Sequence, residues 1–323
     1  MLEAENYPSH PEPLRVEIEP TNICNAKCDF CPRWNMGRKQ GYLDVENLVE
    51  FLDRLEEYRD GMWLNQHSEN HHRFPRLVFA GIGEPTLHPR IVDIVREGSS
   101  RDFETEVVTN GSRLSADLAK QLATAGLTNL AISLHSLDPE IHYALMKLRL
   151  EDILPRVKET LKVLDDTDVG VELWRVSSAD GSSQSKKSED ERRYKEFLSE
   201  YRKKIVVLGP TPAWNRGGQL PHQYWNKVHD TNEVWCEKLY FTLNVAYDGT
   251  ALMCCCDYSQ ITAPLGNAWE ESIETLQKRR EKKFEAPLTE DICKACRRPP
   301  DATYRDSVKP TLISLSAVDY RNR

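Results

Sequence analysis

The chain has no hydrophobic run approaching the roughly 18 apolar residues that a membrane-spanning helix needs. Its polar, proline-bearing start, MLEAENYPSHPEPLRVEIEP, lacks the apolar core of a secretory signal. It has no basic excess either: 43 Lys and Arg stand against 51 Asp and Glu, a formal net charge of −8. That balance argues against a nucleic acid or an anionic membrane as the main partner. No internal repeat is visible. An even cysteine count is also missing, because there are nine. The expected location is the cytoplasm, where thiols stay reduced and closely spaced cysteines more often bind metal than pair as disulfides.

The nine fall into three clusters: Cys24, Cys28 and Cys31; Cys236 with Cys254, Cys255 and Cys256; and Cys293 with Cys296. With 323 residues, the chain can bury the core of one barrel-sized domain, or of a domain plus a smaller one.

Strand-like runs at 14–19, 77–80, 104–109, 130–134, 169–176 and 204–208 alternate with helical spacing at 45–55, 91–97, 115–125, 150–164 and 190–201. Six strand signals separated by helices predict an α/β fold with a parallel sheet, a partial (β/α)6 TIM-like barrel. Polar stretches at 59–76, which include His71 and His72, and at 177–188 read as surface insertions. The Pro and Gly punctuation of GPTPAWNRGGQ ends the pattern near residue 209. The expected organisation is therefore a barrel over 1–209, a small β-hairpin plus helix domain over 210–300, and a tail over 301–323. The hairpin spans 239–254, with Asp248-Gly249 as its turn.

Cys24-x3-Cys28-x2-Cys31 follows the first strand, and α/β folds place chemistry at the carboxyl ends of strands. Three thiolates can bind three irons of a 4Fe–4S cube and leave the fourth open. A structural zinc takes four ligands, so zinc needs a distant partner, and the loop holds no His. Spacing alone leaves both open.

Four pieces occur together in order: CNAKCDFC (24–31), GIGEP (81–85), TNGS (109–112) and ISLHS (132–136). Together they resemble the radical S-adenosylmethionine enzymes, over about 14–209. Ile82 is the departure from that family's GGEP. The resemblance implies a SAM-binding 4Fe–4S cluster on Cys24, Cys28 and Cys31. It further implies SAM contacts at Gly81, Gly83, Glu84, Asn110, Ser133 and His135, and reductive cleavage of SAM to a 5′-deoxyadenosyl radical that abstracts hydrogen from substrate. The implied electron donor is a flavodoxin or ferredoxin.

Cys236, Cys254, Cys293 and Cys296 supply four further thiolates, a count that suits zinc or a 4Fe–4S cube equally. DGTALMCCCD (248–257), LGNAWEESIETL (265–276) and CKAC (293–296) resemble the SPASM/twitch extension of that family. The resemblance implies one auxiliary 4Fe–4S cluster, in the shorter twitch-like form. Cys255 and Cys256 are then spare, as small buried hydrophobes or as hydrogen donors to a substrate radical.

Arg33 sits beside the first cluster, where a cation would tune it. Glu172 and Arg175 on the fifth strand are candidate lumen groups or a buried ion pair, and Arg216 in WNRGG stands at the junction. The resemblance favours a small polyhydroxylated substrate (a sugar, aminocyclitol or nucleotide sugar), with oxidation of a carbinol or epimerisation. The alternative is oxidation or crosslinking of a ribosomally made peptide. The roughly 13 residues before the first strand are too few for a separate peptide-recognition domain.

Overall fold

The computed structural model describes residues 13–62, 74–177, 184–212, 216, 219–220, 239, 241–260, 262–283 and 290–296. Its elements in chain order are β1 (Arg15–Ile18), α1 (Val45–Asp60), β2 (Arg76–Phe79), α2 (Ile91–Ser100), β3 (Thr105–Thr109), α3 (Ala116–Thr124), β4 (Asn129–Ile132), α4 (Pro139–Met146) and α5 (Leu150–Leu164). They continue with β5 (Gly170–Ser177), α6 (Gln184–Leu198), β6 (Val206–Pro212), β7 (Thr242–Val245), β8 (Thr250–Leu252), β9 (Gly266–Asn267), α7 (Ile273–Glu281) and α8 (Asp291–Ala295). One sheet runs in the order β6-β5-β4-β3-β2-β1-β7-β8-β9. Neighbours from β6 through to β7 are parallel, and β8 and β9 are antiparallel. The expected six βα strands are all present, so the α/β partial barrel is the fold. No helix among the described residues is long and apolar enough to cross a membrane.

Sequence dictates the layers. Asp44 caps α1, its carboxylate accepting from the amides of Glu46 (3.0 Å) and Asn47 (3.2 Å). Leu48, Phe51, Leu52 and Leu55 then recur at helical spacing and are wholly buried against the sheet. Each such side chain contributes roughly 1.5–3 kcal/mol of burial. On the strands, Val16, Ile18, Leu77, Phe79, Val107, Leu130, Ile132 and Leu173 join that helix-facing core. Period 2 sends the alternate residues to the concave side, including Arg15, Glu17, Glu106, Asn129 and Glu172.

Two boundaries differ from the sequence reading. Helix α6 starts at Gln184, inside the stretch expected to be loop, while 178–183 lie outside the described residues. Strand β6 runs on to Pro212 because a register shift between Trp174 and Val176 lets β5 keep pairing with it. The expected hairpin forms across Asp248-Gly249, with Asn244 opposite Leu252, and its first strand pairs with β1 over Arg15↔Thr242 to Ile18↔Val245. Most of the 59–76 insertion, with His71 and His72, and the 301–323 tail lie outside the described residues.

Candidate active site

The loop after β1 carries Cys24, Cys28 and Cys31 and is fastened from three directions. The amides of Lys27 and Asp29 each donate at 3.0 Å to the terminal carbonyls of α4, at Met146 and Leu145. Lys147, in the left-handed conformation that ends α4, reaches Asp29 at 3.1 Å. Asn110 donates to Asn25 Oδ1 at 3.0 Å and toward Cys24 Sγ at 3.8 Å. Arg33 donates to the Ala26 carbonyl at 3.2 Å and stacks 4.3 Å from the Trp34 ring. Its charge also favours the thiolates of Cys24 and Cys31.

Burial pushes the Cys24 thiol up to about 11 and also raises Cys28 and Cys31. Such thiols keep their protons until a metal displaces them. Among the described residues no three His, Cys, Asp or Glu side chains stand where they would hold a single metal ion. Three thiols on one loop are a donor set that fits three irons of an iron–sulfur cube.

GIGEP and TNGS close on this loop. Glu84 is almost fully buried and accepts from Thr86 N (3.0 Å), Thr86 Oγ1 (2.5 Å), Thr109 Oγ1 (2.6 Å) and Asn110 N (2.7 Å). Burial raises its pKa, and these four donors work against that rise. The Glu84 amide donates to the Ile23 carbonyl at 2.9 Å. Glu84 thus fixes two motifs against a third. Gly83 permits the approach, since a β-carbon there would lie 1.9 Å from the Thr21 carbonyl oxygen. Gly81 has φ +121°, and its β-carbon would meet Glu19 Cγ at 2.8 Å. The Ser133 amide donates to the Thr109 carbonyl at 2.8 Å, setting that residue at the same rim.

His135 is buried, with Nδ1 3.0 Å from the Trp174 carbonyl, and packs edge-on to Phe30 of the cysteine loop at 5.0 Å. Burial, with His142 adding to it, lowers its pKa to about 3, so the ring is neutral. Glu172 and Arg175 lie three residues apart and so on opposite faces of β5. Glu172 faces the lumen and accepts from Trp174 Nε1 at 2.8 Å. Arg175 faces α6, pairing with Asp190 (2.7 Å) and Glu191 (2.6 Å) over the Tyr194 ring.

The structure brings five cysteines of the second set together. Cys254 and Cys256 share a buried cluster with Leu239, Met253 and Ile292, and Cys255 and Cys293 pack against it. Hydrogen bonds from Cys254 and then Cys255 lower the Cys256 thiol, and Cys296 lies beside it. Cys255, half-buried, also packs on the cluster of Ile82, Ala246, Leu252 and Tyr258, on which Cys31 packs as well. None of the eight described cysteines is in a disulfide, and Cys236 lies outside the described residues. Arg216 lies between the two sets, its charge felt at Cys256, Cys255, Cys31 and Glu17.

Two groups were not singled out from sequence. Glu19, wholly buried, pairs with Arg38 at 2.7 Å and accepts from the amides of Ile82 and Tyr247, each at 3.3 Å. Tyr258 donates to Glu17 at 3.1 Å. The period-2 charges of RVEIE carry that signal, because a central strand with acidic alternate positions needs buried partners.

Residues 18–173 match the Radical SAM superfamily model. A tungsten-containing aldehyde ferredoxin oxidoreductase cofactor-modifying protein of Pyrococcus furiosus is 32% identical over 110 residues, 34% of this chain and 27% of that protein. A probable GTP 3′,8-cyclase of Thermococcus kodakarensis is 31% identical over 164 residues, 50% of this chain and 48% of the cyclase. The chain thus spans about half or less of the length of these relatives. The crystal structure of BtrN in complex with AdoMet and 2-DOIA shares the fold over 91% of this chain and 96% of that one (TM-score 0.58, 16% identity). Streptococcus suis SuiB bound to precursor peptide SuiA does so over 81% and 64% (TM-score 0.54, 16% identity).

The fold is an α/β partial barrel shared with BtrN and SuiB. More particularly, residues 18–173 match the Radical SAM superfamily as a domain of this chain. The cofactors of its domain are S-adenosylmethionine and a 4Fe–4S cluster.

Proposed function

We propose that the chain is a radical SAM enzyme that oxidises or epimerises a carbinol carbon of a small polyhydroxylated substrate. The observation carrying this reading is the clamp of Glu84 on Asn110 and of Asn110 on Cys24 and Asn25, which joins three separate strand ends around one thiol loop. Cys24, Cys28 and Cys31 would hold the SAM-binding cluster. Gly81, Gly83, Asn110, Ser133 and His135 would shape the SAM site, and Glu84 would position them. When bound, the cluster supplies the electron that cleaves the sulfonium C–S bond to give the 5′-deoxyadenosyl radical.

Cys236, Cys254, Cys293 and Cys296 would hold the auxiliary 4Fe–4S cluster, with Cys256 packed among them. Cys255 is the thiol that packs both on this set and on the apolar cluster that Cys31 also touches. It is therefore the candidate hydrogen donor for epimerisation. The neutral His135 packs on Phe30 of the cysteine loop, and a flavodoxin or ferredoxin would deliver the electron. We place the enzyme in the cytoplasm.

The test is anaerobic turnover with dithionite and deuterated polyols. Transfer of deuterium into 5′-deoxyadenosine is expected. Its absence from every polyol, with transfer from a peptide, would overturn the small-molecule reading. The fold shared with SuiB supports that second reading, a peptide substrate.

A further inference from the structure

Resting on the reading that Cys24, Cys28 and Cys31 hold a reducible cluster, we propose that Lys27, Arg33, Trp34 and Tyr143 form the docking face for the electron carrier. The partner this face fits is a small, acidic, one-electron carrier protein.

Among the described residues four large hydrophobic side chains are exposed: Trp34, Tyr42, Tyr143 and Leu208. Two of them border the cysteine loop. Trp34 is 51% exposed on the short turn Pro32–Asn35 that directly follows Cys31. Tyr143, 52% exposed, lies on α4 about one turn before the Met146 carbonyl that receives the Lys27 amide. A lone exposed aromatic is ordinary, but two beside one redox loop mark a contact face.

The Trp34 ring is held in place. The Arg33 guanidinium lies 4.3 Å from its centroid and Lys27 Nζ lies 5.5 Å from it. Arg33 is fixed in turn by its 3.2 Å hydrogen bond to the Ala26 carbonyl. An aromatic ordered before contact loses little entropy when a partner docks on it. Trp, Tyr and Arg are also the side chains that most often carry interface energy.

Charge selects the partner. The chain carries −8 overall, so most of its surface repels an acidic protein. Around this loop the sign reverses: Lys27, Arg33 and Lys147 outnumber Asp29 and Glu140, and Lys147 already pairs Asp29 at 3.1 Å. Among the described residues no carboxylate pairs with Lys27 or Arg33, which leaves both cations to an incoming acidic face. That local excess steers such a partner here and away from the rest. Trp34 stands three residues from Cys31, so a carrier seated on it is close to the thiol loop. The carrier gives up one electron and the cluster accepts it, with no bond made or broken. Redox encounters of this kind bury under about 1,200 Å2, which suits a patch of this size.

The test compares two reductants on the anaerobic, iron-reconstituted protein with SAM. One is excess dithionite, which needs no docking; the other is purified flavodoxin kept reduced by NADPH and its reductase. Trp34→Ala and Lys27→Glu are each expected to lower the flavodoxin-driven rate of 5′-deoxyadenosine formation at least about fivefold. Their dithionite-driven rates should stay within about twofold of wild type. Calorimetric affinity for oxidised flavodoxin should fall at least about fivefold in parallel, and wild-type affinity should weaken as salt is raised. Tyr143→Ser should give a smaller loss, and guards against a Trp34 variant that fails to fold. Unchanged flavodoxin-driven rates in Trp34→Ala and Lys27→Glu, an equal fall with dithionite, or salt-insensitive binding would each overturn the proposal. So would a dimer that Trp34→Ala dissociates, because a second copy would then occupy the face. In those cases dithionite-driven 5′-deoxyadenosine from the wild type leaves the radical SAM reading standing. None from the wild type with either reductant would remove that reading, and this proposal with it.

Discussion

Glu84 and Asn110 lie 26 positions apart in sequence, and the Glu84 carboxylate accepts the Asn110 amide at 2.7 Å. The same carboxylate takes both hydroxyls of Thr86 and Thr109. A neutral amide in its place would turn its NH2 either toward the Asn110 amide, which can only donate, or toward the Thr86 amide and the two hydroxyls that now donate to Glu84. Glu84→Gln is therefore expected to lose roughly 2–4 kcal/mol of stability and most SAM cleavage. Urea unfolding and 5′-deoxyadenosine yield check this. An unchanged midpoint with full yield would remove Glu84 from its positioning role.

The buried pair of Glu19 and Arg38 ties the GIGEP loop, the β7–β8 turn and the 36–42 segment to β1. Arg38→Met leaves the buried Glu19 without its counter-charge, a loss of about 3–5 kcal/mol. Adding Glu19→Gln should recover much of that. A double variant no more stable than Arg38→Met would mean that the pair does not act as a unit in denaturant unfolding.

Acid should weaken the fold through His135 and His142. Burial, with His142 adding to it, holds His135 down to about 3, and burial holds His142 down to about 4. The unfolded chain binds these protons near pH 6.5 and the folded chain does not. Their stabilisation is full above pH 6.5 and declines as pH falls toward 4. The limiting slope is about 1.4 kcal/mol per pH unit for each ring. Thermal midpoints at pH 7, 6 and 5 should fall, and His135→Gln should flatten the trend. A wild-type midpoint rising between pH 7 and 5 would contradict this.

Cluster content separates the two cysteine sets. About eight irons per chain are expected for two cubes. Cys24→Ala should lose about half the iron and all 5′-deoxyadenosine formation, whereas Cys254→Ala should keep the SAM-cleaving centre. Cys255→Ala should retain full iron. If the product takes hydrogen from solvent, that variant should stop deuterium uptake from D2O. Iron loss in Cys255→Ala, measured by ferrozine assay, would instead place it among the ligands.

Local rules made most of the barrel legible. Asp44 and the Leu48–Leu52–Leu55 spacing mark α1, and apolar alternation marks six strands. Helix α4 escaped although Asp138 before Pro139 is a start signal; its carboxylate caps the amides of Glu140 and Ile141. Its eight residues give too short an apolar period to stand out. Arg175 was placed beside Glu172 because both lie on one charged strand. Counting by twos separates them, and only the partners on α6 show where Arg175 goes. The four motifs that carry the family resemblance were legible as text. Their mutual clamp was not, because it is made by contacts across 25 to 87 positions. The pairing of β7 with β1 was equally hidden, since parallel partners that far apart leave no local mark.

That pairing sets the order in which the molecule can be finished. β1 is an early strand, yet one of its two neighbours begins only at Thr242. A ribosome adding about 5–20 residues per second leaves the Arg15–Ile18 edge open for roughly 10–45 s after it emerges. The strand bearing the first cysteine loop thus waits, templated on one side only, for the last part of the sheet. During that wait its bare edge invites foreign strands. A cell that makes this protein quickly, or with the C-terminal third removed, should find it in inclusion bodies.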